Sequence, residues 1–251
     1  MTEPASTTRG FHLEAVLLIC ASTALFGVGD AIVKLLTETW SVAQIILIRA
    51  GFALPMLLLW RGRDEPLLPR RLGDPWNLLR ALFEIGVTYF FFTGVRFMPL
   101  GEAVCIMFIA PILLTAIAAL FLGERVGWRR WTAVALGFLG VIVVMRPGGE
   151  LWTPAALLPF LAACCIAARD IVVRRVDPRI TNRTVVATST LALLVSSALV
   201  APFVWAPVQT TLVLGAAVGA FTVTSAFLCY VKATRIAEVS FIQPIKYLAI
   251  P

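Results

Sequence analysis

One stretch of this chain occurs twice. Residues 86–109 read GVTYFFFTGVRFMPLGEAVCIMFI, and residues 222–245 read TVTSAFLCYVKATRIAEVSFIQPI. Four positions keep their character between the copies: Val87 with Val223, Thr88 with Thr224, Arg96 with Lys232, and Glu102 with Glu238. Such internal similarity indicates that one structural unit is built twice.

The composition places both copies in a lipid bilayer. Hydrophobic residues make up 60% of the chain and charged residues 14%, against about a quarter charged in soluble proteins, and the mean hydropathy is +0.92. Apolar windows long enough to span a membrane occur at 15–36, 41–60, 76–95, 103–122, 128–145, 154–173, 185–205 and 211–231. A ninth window starts at residue 236 and is cut off at Pro251. We therefore expect the natural chain to continue for roughly 40 residues, enough to complete a ninth and a tenth span.

The span count predicts how the two units are oriented. Each unit holds five spans, the first over residues 11–146 and the second, incomplete at its C-terminus, over residues 152–251. A unit with an odd number of spans begins and ends on opposite sides, so the second copy lies inverted relative to the first. The predicted fold is all-α, a polytopic transmembrane helical bundle of two inverted five-helix repeats. Such repeats are typical of secondary transporters, because the halves can exchange conformations around one midplane site.

Basic residues concentrate in alternate loops. With the N-terminus in the cytoplasm, fourteen of them fall in inner segments, and only Arg96 and Arg146 fall in outer ones. This is the positive-inside pattern, so we expect a multi-pass membrane protein with a cytoplasmic N-terminus. The same pattern explains the formal net charge of +7 without a nucleic-acid partner.

The sequence carries no motif for chemistry. It has no HExxH, no GxSxG and no P-loop, its five cysteines lie in apolar windows without a CxxC spacing, and His12 is its one histidine. We predict that the protein is not an enzyme, with no catalytic residue, no metal and no cofactor. The expected partners are a small-molecule solute, the lipid bilayer and protons as a candidate coupling ion.

Residues 96–149, RFMPLGEAVCIMFIAPILLTAIAALFLGERVGWRRWTAVALGFLGVIVVMRPGG, resemble the EamA domain of the drug/metabolite transporter superfamily. The matching features are the short loop before a small-residue helix, Pro111, the FLGER turn and the glycine-rich fifth span. The resemblance implies ten spans in two inverted units around a central cavity, in the bacterial inner membrane. It implies a secondary transporter of small organic metabolites, and we expect amino-acid or drug-like solutes moved by alternating access in the export direction. The second unit departs from the family pattern, because the chain stops at Pro251 before a second FLGE turn.

Two alternatives stay open. Residues 77–104 and 157–175 look somewhat like the S-adenosylmethionine uptake branch of the superfamily, which would make the protein an importer of such a metabolite. The alternative of another class is a membrane scaffold that transports nothing. Flux of solutes into liposomes distinguishes a transporter from a scaffold.

Charged residues within the spans are candidate gate or coupling groups. A charge at the centre of a membrane helix costs roughly 2.5–3.5 kcal/mol and usually has a partner or a task. Asp30 and Lys34 share one helix face near the outer end of span one, and Asp170 and Arg174 repeat the arrangement near the inner end of span six. Each pair is predicted either to neutralise itself near the interface or to form one of two symmetry-related gates. Glu84 of span three completes this candidate set.

Two mid-span cations are candidates for binding the solute. Arg49 and Lys246 each lie about nine residues into a span, roughly 13 Å deep at 1.5 Å per residue. Arg49 is predicted either to form a structural ion pair, with Glu84 or Asp30, or to contact an anionic group of the solute.

Spans four and nine are the predicted walls of the site, since each carries a proline at mid-membrane depth. An interrupted helix frees backbone groups that solute, water or protein must satisfy, although a packed kink explains the prolines equally well. Pro111 marks this feature in the first unit, and Gln243, Lys246 and Tyr247 add polar groups beside it in the second.

Overall fold

The computed structural model describes residues 5–59, 72–121 and 154–236, together with single positions between 128 and 139. Its helices are α1 (Ala5–Thr37), α2 (Val42–Leu59), α3 (Pro75–Phe97), α4 (Leu100–Met107), α5 (Ala110–Phe121), α6 (Leu157–Val172), α7 (Asn182–Val200) and α8 (Thr210–Ile236). Single 3₁₀ turns at Pro154–Ala156, Val173–Arg175 and Ala201–Phe203 flank α6 and follow α7.

Seven segments of the described chain are long and apolar enough to cross a membrane, with α4 and α5 forming one of them. The all-α membrane bundle predicted from composition is therefore confirmed. Predicted spans five and nine lie largely or wholly outside the described residues. The division into units at 11–146 and 152–251 stays a prediction.

Local sequence signals set the starts of two helices. The Asp74 side chain accepts a 2.9 Å hydrogen bond from the Asn77 N–H, and Pro75 occupies the first helical position, where no N–H is needed. Thr181 caps α7 in the same way by accepting from the Thr184 N–H at 3.2 Å. These polar caps mark where the apolar spans begin.

Large apolar side chains cover the outside of the bundle. Leu13, Leu17 and Leu35 of α1 are more than half exposed, as are Leu199 of α7 and Leu214 of α8. So many exposed apolar side chains are unfavourable in water but suit contact with lipid tails. The exposure pattern is that of a bundle surrounded by hydrocarbon.

The most extensive packing joins α1 to α8 in antiparallel fashion. The Ser22 hydroxyl donates a 2.9 Å hydrogen bond to the Ala226 carbonyl, and Leu36, further along α1, lies beside Gly215, further back along α8. Gly29 allows the close approach, because a Cβ at this position would overlap the Val223 side chain.

Helix α3 packs along α6 in the same antiparallel sense. Glu84 in the first half of α3 contacts Arg169 near the end of α6, whereas Gly94 near the end of α3 faces Pro159 near the start of α6. A Cβ at Gly94 would lie 2.8 Å from Pro159 Cδ, so this contact too requires glycine.

The third pair, α2 with α7, is also antiparallel. Arg183 Nε donates to the Leu57 carbonyl at 2.9 Å, and at the other extremity the Gln44 amide exchanges two hydrogen bonds with the Ala206 backbone, at 3.0 and 2.8 Å. Helix α2 also packs on α8, and α3 on α7.

These packing pairs are symmetric between the two halves of the described chain. If α1, α2 and α3 are exchanged with α6, α7 and α8 in that order, the same set of pairs is obtained. The α1–α8 pair becomes α6–α3, the α2–α8 pair becomes α7–α3, and the α2–α7 pair is unchanged. Antiparallel pairs related in this way are what two inverted copies of one unit produce.

The bundle has two chemically distinct ends. The basic end, as we call it, holds the last residue of α2, the first of α3, the last of α6 and the first of α7, where Arg183 contacts Leu57 and the Arg175 guanidinium stacks 4.9 Å from the Trp76 ring centre. The opposite end holds the α1–α2, α3–α4 and α7–α8 connections. There the largest buried apolar cluster surrounds Trp40 and Val95.

The fourth span is interrupted between α4 and α5. The Phe108 and Ile109 N–H groups donate to carbonyls only three residues back, at 3.2 and 3.0 Å, instead of four. Pro111 explains the break, because it has no N–H to donate to the Met107 carbonyl and its ring crowds that carbonyl. The predicted interruption of this span is therefore present, one turn before the proline itself.

Candidate functional site

A cavity of about 360 Å³ lies at the centre of the bundle. All seven described spans contribute to its wall: α1, α2, α3 and the α4–α5 break from the earlier part of the chain, and α6, α7 and α8 from the later part. Most of the wall is apolar, and it includes the rings of Phe91, Phe92, Phe108 and Phe227. This is the composition of a small-molecule site, in which a few polar groups orient a largely apolar surface.

Arg49 of α2 is the isolated cation of the described cavity wall. Its side chain is 9% exposed, its guanidinium lies 5.2 Å from the centre of the Phe92 ring, and its Nε has no hydrogen-bond partner. A guanidinium offers five N–H donors, and leaving a buried charged donor unsatisfied is costly. The arrangement therefore favours binding of an external acceptor at this position.

Asp30 of α1 also lines the cavity and attracts Arg49 electrostatically. No hydrogen bond or direct ion pair joins these two side chains, both of which the structure describes. The two side chains thus line the same cavity without forming a direct contact with each other. Of the two partners predicted for Arg49, Asp30 is the one that faces it.

Glu84, the other predicted partner, belongs to a separate cluster near the basic end, which we call the polar network: Arg80, Glu84, Arg169, Asp170 and Tyr230. Arg169 Nη1 lies 3.0 Å from Glu84 Oε2, and its Nε and Nη2 both lie 3.0 Å from Asp170 Oδ1. Arg80 Nη2 lies 3.8 Å from the same Glu84 oxygen. The network therefore links α3 of the first half to α6 of the second.

Two further contacts anchor the polar network to α7 and α8. Arg80 Nη1 donates to the Ser189 hydroxyl at 2.7 Å, and its guanidinium lies 5.4 Å from the Phe227 ring centre. The Tyr230 hydroxyl donates to Asp170 Oδ2 at 3.4 Å. Two arginines and two carboxylates balance one another here, so the network is close to neutral as a unit.

Lys34 lies at the opposite end and contacts a different helix from the one the sequence suggested. Its ammonium donates to the Val95 carbonyl at 2.7 Å and to the Met98 carbonyl at 3.2 Å. These carbonyls belong to the C-terminus of α3, where a cation complements the helix dipole. Lys34 thus joins α1 to α3 instead of neutralising Asp30.

Asp170 binds the side chains of Arg169 and Tyr230. The side chain of its predicted partner, Arg174, lies outside the part of the chain that the structure describes. Pro111 sits in the first turn of α5 and acts on the cavity through the residues before it, since Met107 and Phe108 form part of the wall. Gln243, Lys246 and Tyr247 are also outside the described residues.

Sequence reasoning did not identify Arg169, Tyr230, Ser189 or Phe92 as site residues. Arg169 had a signal, because it is a second charge directly beside Asp170 within an apolar span, but the spacing of four drew attention to Arg174. The others had none, since a tyrosine, a serine and a phenylalanine are ordinary in membrane helices. Among the described residues, no cluster of three or more His, Cys, Asp or Glu side chains is arranged to hold a metal ion.

The chain is similar to a protein family, to individual curated proteins and to a solved structure. A family model described as the EamA-like transporter family matches residues 13–146, just over half of the chain. The riboflavin transporter of Vibrio cholerae is 28% identical over 178 residues, which are 70% of this chain and 60% of that protein.

Two other curated relatives differ from each other in direction of transport. The S-adenosylmethionine uptake transporter of Rickettsia felis is 31% identical over 133 residues, 53% of this chain and 42% of that protein. The pseudopaline exporter of Pseudomonas aeruginosa is 24% identical over 165 residues, 65% of this chain and 58% of that protein. The chain spans about half the length of the curated relatives it matches.

A crystal structure shares the fold. It superposes with a TM-score of 0.61, covering 98% of this chain and 85% of its own, at 21% sequence identity. At that identity the likeness concerns the arrangement of the helices.

Proposed function

Because the chain belongs to the EamA-like transporter family, within the drug/metabolite transporter superfamily, we propose that it carries a small organic metabolite across the bacterial inner membrane by alternating access. The solute binds in the central cavity, and its anionic group contacts Arg49. The observation that carries this proposal is the buried Arg49 guanidinium with an unsatisfied Nε in the cavity wall.

The cavity suits a solute that combines a ring with an anionic group. Phe92 lies directly against the Arg49 guanidinium, and four further phenylalanine rings line the wall. Aromatic faces stack on planar ligands, and a guanidinium recognises carboxylate or phosphate. Lys246 stays a predicted second contact for the anionic group.

Alternating access rests on the relation between the two halves. Their antiparallel, self-consistent packing pairs support two inverted units that rock around one site. With the N-terminus in the cytoplasm, the basic end faces inward, and Glu84 and Asp170 act there as gate residues within the polar network. At the outer end, Gln44 with Ala206, and Trp40 with the Pro207 carbonyl at 3.1 Å, close the other side.

Export of amino-acid or drug-like solutes is the direction we expected from the sequence. Uptake of an adenosyl-type metabolite is a second candidate, and the aromatic wall of the cavity favours it. Two of the relatives are named as transporters of riboflavin and of S-adenosylmethionine. Both compounds contain a fused heteroaromatic ring, and S-adenosylmethionine also carries a carboxylate.

The test is solute flux through the full-length protein in proteoliposomes. The probes are S-adenosylmethionine, riboflavin and the aromatic amino acids, each measured in both directions. Arg49→Gln should slow flux of a carboxylate-bearing probe about tenfold or more, since a hydrogen bond to a charged group contributes roughly 1.5–3 kcal/mol and about 1.4 kcal/mol is tenfold. Lys246→Gln is expected to act in the same direction.

Arg175→Gln is the matched control, because this exposed arginine stacks on Trp76 away from the cavity. It should transport at the parental rate. Parental transport by Arg49→Gln would instead make Arg49 a structural residue. A folded, inserted protein that moves none of the probes would favour the scaffold.

A further inference from the structure

We propose that Asp30 is a proton-binding site coupled to the solute: when the anionic group of the solute binds Arg49, Asp30 takes up one proton, and both cross the membrane together. The proposal rests on the proposed function and adds to it the coupling ion, the residue that carries it and the sign of the coupling.

The first step is that Asp30 and Arg49 depend on each other for charge compensation. Both lie in the cavity wall and attract each other, without a hydrogen bond or ion pair between these two described groups. Arg49 has its hydrogen-bonding capacity unspent at Nε. A solute carboxylate that enters the cavity can therefore bind Arg49, but the positive charge of Arg49 is already balanced by the negative charge of Asp30.

The second step is that the other charges of the described cavity are committed elsewhere. The cavity wall also includes Glu84 from α3 and Arg169 from α6, which bind each other at 3.0 Å, and Tyr230 from α8, which donates to Asp170. Arg80, behind Glu84, donates to Ser189 of α7. The wall residues from α4 and the α4–α5 break, Val104, Met107 and Phe108, are apolar.

Lys34, one turn from Asp30 on α1, is also committed, since its ammonium binds the carbonyls of Val95 and Met98. Neither it nor the balanced polar network can release a cation without leaving a buried group unpaired. The Asp30 and Arg49 pair is thus the part of the described cavity that can respond to a new charge.

The third step follows from electrostatics. With the solute anion bound, two negative groups share Arg49, and one buried negative charge is left uncompensated, which is strongly unfavourable away from water. Two carboxylates sharing one site cannot both stay ionised, so one of them binds a proton. The proton comes from the solution on the side where the cavity is open and bonds to a carboxylate oxygen of Asp30, which becomes a neutral carboxyl group.

Because the proton and the solute bind together, the coupling favours one direction of solute transport. A monovalent anion and one proton together carry no net charge, and each favours binding of the other by the same factor. Co-transport of the two lets an inward proton gradient draw the solute inward, which favours uptake over export.

The experiment measures proton uptake when an anion binds to the detergent-solubilised full-length protein. The probe is benzoate, an aromatic carboxylate that fits both Phe92 and Arg49, and benzamide is its uncharged counterpart. Calorimetric titrations in two buffers of different ionisation enthalpy give the number of protons bound per ligand. We expect about one for benzoate at the pH where Asp30 is ionised in the free protein, with an affinity that falls about tenfold per pH unit above it.

Asp30→Asn should bind benzoate with no proton uptake and an affinity independent of pH, because the amide mimics the neutral carboxyl group. Glu14→Gln removes a carboxylate from the same helix, one that pairs with Lys232 at the half-exposed surface, and should keep the parental proton count. Benzamide should show no linkage in any variant.

Absence of proton uptake in the parental protein overturns the proposal, as does an undiminished proton count in Asp30→Asn. Failure of benzoate to bind the parental protein overturns it as well, because Arg49 is then no anion site. These results are separate from the flux test. Transport without proton linkage leaves the proposed function standing, whereas linkage without flux of any probe refutes transport and leaves the Asp30 site.

Discussion

Replacing Glu84 with glutamine removes one of two carboxylates from the polar network and should destabilise the folded bundle strongly. Arg169 keeps Asp170 as its one remaining anion at 3.0 Å, and Arg80 loses the carboxylate 3.8 Å away. Both arginines are at least nine-tenths buried. Breaking a buried ion pair from one side costs roughly 3–5 kcal/mol, because the remaining charge is left uncompensated.

The double variant tests whether charge balance is the cause. Glu84→Gln combined with Arg169→Gln leaves Arg80 and Asp170, one charge of each sign. If the single changes each cost about 4 kcal/mol, independent effects would sum to about 8 kcal/mol. We expect the double variant to fall about 0.5–3 kcal/mol short of that sum, the range of coupling for contacting residues.

The assay is equilibrium unfolding by dodecyl sulfate in mixed micelles, followed by circular dichroism. Glu14→Gln is the control, because its 2.8 Å bridge to Lys232 is about half exposed and such pairs contribute about 1 kcal/mol or less. A Glu84→Gln protein within about 0.5 kcal/mol of the parent, the usual range for surface substitutions, would refute the reasoning. So would a double variant at the full sum.

Three further predictions concern packing, the helix break and topology. Gly29→Ala should lower the midpoint of thermal unfolding in detergent, whereas Gly27→Ala, whose added Cβ meets nothing within 4 Å, should leave it unchanged or raise it; equal midpoints would contradict the close packing of α1. Pro111→Ala restores an N–H and should slow amide hydrogen exchange at the α4–α5 break; unchanged exchange there would mean that tertiary packing sets the break. A reporter fused after Trp60 should read cytoplasmic and one within residues 205–209 external, and the reverse result would overturn the orientation.

The helices were predictable because their signals are local. Hydropathy placed span three at 76–95, and α3 runs from Pro75 to Phe97, with Asp74 and Pro75 supplying a start signal that lies in the sequence itself. The break near Pro111 was predictable for the same reason, since a missing N–H acts on the residue four positions earlier. Distance along one helix is fixed by the chain, so such rules need no tertiary information.

Partner choice across helices was not predictable. The i, i+4 rule pairs Asp30 with Lys34, yet Lys34 binds the Val95 and Met98 carbonyls of α3. Those acceptors exist because a helix leaves its last carbonyls free, and their position depends on where α3 ends beside α1. Similarly, Glu84 meets Arg169 only when α3 and α6 pack antiparallel in one register, a relation that a single sequence does not encode locally.

During synthesis, α1 and α3 enter the membrane before α6 and α8, against which they mainly pack, have been translated. Ribosomes add about 5–20 residues per second, so this interval lasts on the order of ten seconds. Throughout it, Asp30 and Arg49 sit in apolar helices without the walls that later enclose them, and a charge at mid-membrane costs roughly 2.5–3.5 kcal/mol. The charges that line the cavity of the finished protein therefore destabilise the nascent one. Membrane insertases and proteases encounter the first half before its packing partners are present.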